Sequence, residues 1–169
     1  YFVGLALPVL AALTPEDWQC EICLETIEDV NFGTDAEVIA ISSMGHAVMR
    51  TIEVAKEFKK RGKVVILGGY MVSLMPEEGK KYCDAVVIGD GEGVWTTVLE
   101  DIEKGELKAF YQKTLTKLEY PLPRFDLIIN KNIGDFYTRK RVDFFNKKGI
   151  FSIFVGSSGT MIGKIDFLY

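Results

Sequence analysis

Glu37-Val-Ile-Ala-Ile-Ser42, Lys63-Val-Val-Ile-Leu67 and Ala85-Val-Val-Ile-Gly89 are three short runs of mostly β-branched apolar residues. Such runs suit strands buried on both faces of a sheet. The segments between them have helical spacing. From Ala47 to Arg61, Val48, Ile52 and Ala55 share one face with Val54 and Phe58, Glu57 and Arg61 stand four apart, and Gly62 is a natural stop. Pro76-Glu77-Glu78 reads as a first helical turn, with proline at the start and acids where the helix dipole favours them. Val94, Trp95, Val98, Leu99 and Ile102 form a stripe closed by Lys104-Gly105. The alternation predicts an α/β fold: a doubly wound parallel sheet with helices on both faces, in three layers.

Outward from this centre the pattern is looser. Pro8 to Leu13 reads as a short helix, and Trp18 to Glu25 as a strand alternating enough to lie at an edge. Beyond Gly105, Pro121-Leu-Pro123-Arg124-Phe125-Asp126 is an extended connector, and residues 127–149 are aromatic and basic without a period. Ile150-Phe-Ser-Ile-Phe-Val155 is a further strand, followed by the flexible joint Gly156-Ser-Ser-Gly159. The expected division is an α/β domain over 1–126 and a connector with C-terminal extension over 127–169.

The chain has 169 residues, 48% of them hydrophobic and 26% charged, which excludes disordered and collagenous classes. The apolar run Phe2 to Leu13, broken by Pro8, is too short to span a bilayer, and no basic segment precedes it. Three cysteines, Cys20, Cys23 and Cys83, do not make a secreted disulfide framework, so the expected compartment is a reducing cytoplasm. Residues 1–103 carry 8 basic and 18 acidic side chains, against 11 and 5 in residues 104–149. The acidic part argues against nucleic-acid binding there.

Ligands of open parallel sheets bind at the carboxyl ends of the strands. Here those ends are Ser42-Ser43-Met44-Gly45-His46, Gly68-Gly69-Tyr70-Met71 and Gly89-Asp90-Gly91-Glu92-Gly93. Glycine lets a ligand lie against the backbone, so the three ends together suggest a platform; tight turns alone are the alternative. No Walker loop is present, and Gly89–Gly93 lacks the spacing of a dinucleotide fingerprint. Cys20 and Cys23, three apart on a strand, point to opposite faces and read as packing residues, so no metal ligands are expected. His46, the only histidine, has either a ligand-contacting or catalytic role, or is a capping or surface residue.

The ordered set Leu7-Pro8, Leu13-Thr14-Pro15-Glu16-Asp17-Trp18, Ala36 to Ser42, Arg61 to Gly69, Pro76-Glu77-Glu78, Asp84 to Glu92 and Pro121 to Leu127 resembles the N-terminal cobalamin (B12)-binding domain of cobalamin-dependent radical SAM enzymes, over about residues 7–130. The resemblance implies a flavodoxin-like, Rossmann-like sheet with cobalamin on its carboxyl edge. It implies binding residues Ser42, Ser43, Met44, His46, Gly68, Gly69, Tyr70, Gly89, Asp90, Gly91 and Glu92, and no catalytic or metal-ligating residue in this chain. It further implies a partner barrel domain that holds a [4Fe–4S] cluster and S-adenosylmethionine through Cys-x-x-x-Cys-x-x-Cys. That motif and the Asp-x-His-x-x-Gly motif of histidine-ligated cobalamin proteins do not occur in the 169 residues. The expectation is therefore a cobalamin-binding module that is not catalytic by itself, with cobalt unligated by His46. The alternatives are a flavodoxin-like interaction or regulatory domain with a vestigial site, and a small enzyme using Asp90 or Glu92.

The first strand of such a sheet would precede residue 1. In the strand order 2-1-3-4-5 that strand is internal. Residues 150–155 have the composition to fill the slot, within one chain or by exchange in a homodimer; an extension packed on an edge is the alternative.

Overall fold

The computed structural model describes residues 5–25, 28–114 and 121–128, and the backbone of a strand at 148–155. Its elements in chain order are α1 (Ala6–Leu13), β1 (Trp18–Leu24), β2 (Val38–Ser43), α2 (Val48–Lys60), β3 (Val64–Gly69), α3 (Tyr70–Leu74), α4 (Pro76–Lys80), β4 (Ala85–Ile88), α5 (Trp95–Lys104), β5 (Phe110–Gln112) and β6 (Lys148–Val155). The six strands form one sheet in the order β1-β6-β2-β3-β4-β5. Every pairing is parallel.

Strand alternation builds two cores. On one face Ile39 and Ile41 of β2, Val65 and Leu67 of β3 and Val86 of β4 pack against Val54, Ala55 and Phe58 of α2 and Val72 of α3. On the other, Val38, Ala40, Ile66, Ala85 and Val87 meet Trp95, Val98 and Leu99 of α5, with Leu10 and Leu13 of α1 beside them. Burial on both faces is why the three central runs are continuously apolar rather than alternating. A third cluster sets Leu7 and Ala11 of α1 on Ile22 and Leu24 of β1.

The chemistry of the ends matches the elements. α2 stops at Gly62, with φ +73°, and α5 at Gly105, with φ +71°. Glycine accepts this left-handed region without a Cβ penalty. The Val65 amide donates to the Asp84 carboxylate at 2.8 Å, which fixes the entry to β4 beside β3. Arg61 Nε donates to Glu57 Oε1 at 2.9 Å, the four-residue pair expected from the sequence.

Two features go beyond the sequence expectation, and a third answers a choice that the sequence left open. α3 follows β3 directly, ahead of the turn that begins at Pro76. The three-residue β5 closes the sheet edge in a stretch that carries no clear pattern. β6 stands between β1 and β2, pairing Cys20 with Ile150 on one side and Val38 with Ile150 on the other. It thus takes the internal position that the first strand holds in the order 2-1-3-4-5. β1 lies at the opposite edge from β5. The joint at Gly156–Gly159 and most of the stretch 127–149 lie outside the described residues.

Candidate functional site

The carboxyl ends of β2, β3 and β4 meet α1 and α5 around a cleft of about 160 Å³. Its shape follows from strand register. On the face toward α1 and α5, Ala40 lies level with Ile66, and one step nearer the edge Ser42 lies level with Gly68. Val87 flanks Gly68: a Cβ built on that glycine would stand 3.9 Å from the Val87 Cβ. Between a serine and a valine, the absent side chain of Gly68 leaves the hollow. Leu7 and Leu10 of α1 roof it, and Trp95 of α5 forms the side wall.

α1 is held in place by contacts from distant parts of the chain. The Trp95 indole donates to the Thr14 hydroxyl at 2.8 Å, and that hydroxyl donates to the Leu10 carbonyl at 2.8 Å. The Arg124 amide donates to the Pro8 carbonyl at 2.9 Å, so the proline-rich connector pins the helix from outside. Leu10 also packs on Gly91, where a Cβ would come within 3.3 Å of its methyl group.

The loops at the edge depend on glycine at two points. Gly69 has φ +104°, and a Cβ there would lie 2.5 Å from the Ser43 carbonyl oxygen. Gly89 has φ +75° with open space around it. Ser73 couples the two loops: its hydroxyl donates to the Gly69 carbonyl at 2.8 Å and accepts from the Gly89 amide at 2.9 Å.

Of the residues expected to bind, Ser42, Gly68, Gly69, Gly89, Asp90, Gly91 and Glu92 line the cleft together. Four do not. Ser43 is buried on the opposite face, beside α2 and α3. Met44 is 47% exposed and Tyr70 68% exposed, both on the outer surface of the edge. His46 is exposed in the helical turn Gly45–Ala47. Ser73, Leu7, Leu10, Thr14 and Trp95 line the cleft or support it and were not read as site residues from the sequence. Glycine-rich strand ends flag an edge but not the helix that covers it. Ser73 lies in α3, which no periodicity announces.

Cys20 packs with the α1 and β1 cluster and Cys23 with the α2 cluster, on opposite faces of β1. Cys83 is buried, its thiol directed at the Gly79 carbonyl, and burial pushes its pKa up to about 11. Both buried thiols are remote in type and place from the reactive cysteines of electropositive clefts.

Comparison with known proteins decides the family. The B12 binding domain family matches residues 9–99, more than half of the chain. The chain belongs to the B12-binding domain family. The match runs from within α1 to the middle of α5, and takes in the strand ends around the cleft. This B12-binding domain is similar to bacteriochlorophyllide d C-8(2)-methyltransferase of Chlorobaculum tepidum, with 37% identity over 124 residues, 69% of this chain and 28% of that protein. Bacteriochlorophyllide d C-12(1)-methyltransferase of the same organism is 28% identical over 81 residues, 48% of this chain and 18% of that protein. An uncharacterized methyltransferase of Synechocystis sp. is 28% identical over 129 residues, 73% of this chain and 24% of that protein. The chain thus spans between 18% and 28% of the length of these relatives. No solved structure matches it.

The residues of the B12-binding domain fit a cobalamin. A cleft with an apolar interior and a polar rim suits a flat aromatic group carried on a sugar phosphate. Trp95, at 2% exposure, and Leu7, at 2%, lie deep, while Asp90 is exposed and Glu92 half-buried. Glycines at 68, 69 and 89 leave the backbone of the edge bare for a broad ring system to approach. Among the described residues no helix is long and apolar enough to cross a membrane.

Proposed function

We propose that this chain is the cobalamin-holding part of a methyltransferase of the radical S-adenosylmethionine class. The observation that carries the reading is the cleft over Gly68, built at the carboxyl edge by the elements that the B12-binding family match covers. When bound, cobalamin supplies a cobalt centre able to carry and hand on a methyl group.

The chain's own part is to bind and orient. The corrin would rest on the edge formed by Ser42 to Met44, Gly68 to Tyr70 and Gly89 to Glu92. The nucleotide end would enter the cleft. There the Glu92 and Asp90 carboxylates are acceptors suited to sugar hydroxyls and repel a phosphate, which the Ser42 hydroxyl and neighbouring amides accommodate better. Ser43 would act from below the edge, as support for β2. His46 sits in the turn after β2, where it would meet the corrin rim rather than the cobalt.

Two of the relatives are named for methylation of bacteriochlorophyllide d. We extend this only to the class of reaction: methyl transfer, with the acceptor chosen by a separate barrel domain that carries the [4Fe–4S] cluster and S-adenosylmethionine. Free thiols at Cys20, Cys23 and Cys83 suit a reducing cytoplasm.

The test is purification with hydroxocobalamin, followed by a visible spectrum. Corrin absorbance retained at one equivalent per chain is expected. A folded chain that retains none overturns the reading and leaves a flavodoxin-like interaction domain with a vestigial site.

A further inference from the structure

We propose that the cleft chooses among corrinoids by their lower base, taking a benzimidazole and rejecting a purine. The inference rests on the cobalamin reading above, and adds to it which chemical class of cofactor the chain accepts.

The walls of the cleft are Leu7 and Leu10 from α1, Ala40, Ile66 and Val87 from the sheet, and Trp95 from α5. The only polar atom these six side chains carry is the Trp95 indole nitrogen, and it is already committed to the Thr14 hydroxyl at 2.8 Å. That hydroxyl's own proton goes to the Leu10 carbonyl at 2.8 Å. The polar side chains of the lining, Ser42, Asp90 and Glu92, lie at half-buried or exposed positions toward the edge. The deep part therefore presents hydrocarbon and the indole ring to whatever enters.

A benzimidazole with ring methyl groups shows a hydrocarbon edge to such walls. Adenine shows an exocyclic amine and further ring nitrogens, each of which leaves water without a partner there. The size agrees: apolar cavities near 150 Å³ take a benzene ring, and this cleft, at about 160 Å³, opens at the edge for the remainder of a base. Discrimination of this kind, built on unpaired polar groups against apolar walls, is worth about tenfold to a hundredfold.

The experiment is equilibrium binding of three corrinoids to the full chain, read by the corrin spectrum and by quenching of tryptophan fluorescence. The three are cobalamin, its adenine-bearing analogue pseudocobalamin, and cobinamide, which lacks the nucleotide. Cobalamin is expected to bind at least about tenfold more tightly than the other two. Leu10→Asn, which offers a polar handle, should bring the cobalamin to pseudocobalamin ratio toward one. Val87→Thr provides the same test with nearly unchanged volume, should the first variant fail to fold. A wild-type ratio near one, or a ratio that a folded variant leaves unchanged, overturns the proposal. Cobinamide binding as tightly as cobalamin also overturns it, because the nucleotide then makes no use of the cleft. Failure of all three corrinoids to bind a folded chain overturns the cobalamin reading, and this inference with it.

Discussion

Gly69 and Gly89, at the carboxyl ends of neighbouring strands, are joined through a single hydroxyl: Ser73 Oγ donates to the Gly69 carbonyl at 2.8 Å and accepts the Gly89 amide at 2.9 Å. Both glycines have positive φ, so the hydroxyl bridges the loops at two points that carry no side chain. The spacing of the two loops, and with it the width of the cleft rim, depends on α3.

Ser73→Ala removes both bonds and leaves the Gly89 amide without its acceptor. The expected loss is about 1 kcal/mol of stability, seen as a lower urea midpoint with an unchanged slope. Hydroxocobalamin affinity should fall several-fold. Unchanged affinity would show that the loops keep their spacing without Ser73.

The two glycines should respond differently to alanine. Gly69 sits at φ +104°, ψ −178°, a region open to glycine almost alone, and its Cβ would strike the Ser43 carbonyl at 2.5 Å. Gly69→Ala is expected to cost about 3 kcal/mol or more. Gly89→Ala meets no atom within 4 Å and bears only the left-handed backbone penalty, about 1 kcal/mol. Thermal denaturation followed by circular dichroism ranks the two, and a smaller effect at Gly69 would contradict the geometry.

Gly68 separates folding from binding. Its Cβ position is in ordinary contact with Val87, at 3.9 Å, and its φ is not in the left-handed region. Gly68→Ala should therefore fold normally, while Gly68→Leu should fill the hollow. A corrinoid titration of the folded leucine variant is expected to show affinity reduced at least about tenfold. Binding at wild-type strength would place the nucleotide outside the cleft.

Burial raises the Cys83 thiol to about 11 from its ordinary 9.0. The folded state therefore holds this proton more tightly than the unfolded chain does. The sign follows from linkage: the thiol has no effect on stability well below pH 9, and stability is lost as pH rises from 9 toward 11, where the unfolded thiol ionises first. Denaturation midpoints for the wild type and Cys83→Ala across that range should converge as pH rises. In the native protein at pH 8, Cys83 should resist iodoacetamide until denaturant is added.

β6 pairs with β1 over seven positions and with β2 over six. Removing residues 148–169 strips the facing ladder from both neighbours inside the sheet. A chain ending at residue 147 is expected to lose its cooperative thermal transition, monitored by circular dichroism. A sharp transition near that of the full chain would show that β1 and β2 do not need β6.

The sequence by itself determined the parallel α/β centre. β-branched runs at 37–42, 63–67 and 85–89 alternate with helical stripes, and burial on both faces leaves such runs little other use. The sequence also pointed to the edge where the cleft lies, since the glycines at 68, 69, 89 and 91 all fall at or next to strand ends. It did not announce β5, three residues whose strand state comes from pairing with β4, nor α3, a five-residue helix too short for a period to show. The tertiary structure alone decided which edge residues converge. Ser42 and Ser43 are neighbours in the chain, yet strand alternation sends the first to the cleft and the second to the opposite core. Leu10, Thr14, Trp95 and Arg124 come together only because α1 lies across the sheet and is fastened there by partners as many as 116 residues away, at Pro8 and Arg124. Local patterning records what each segment can become, but contacts over such separations exist only once the chain has closed on itself.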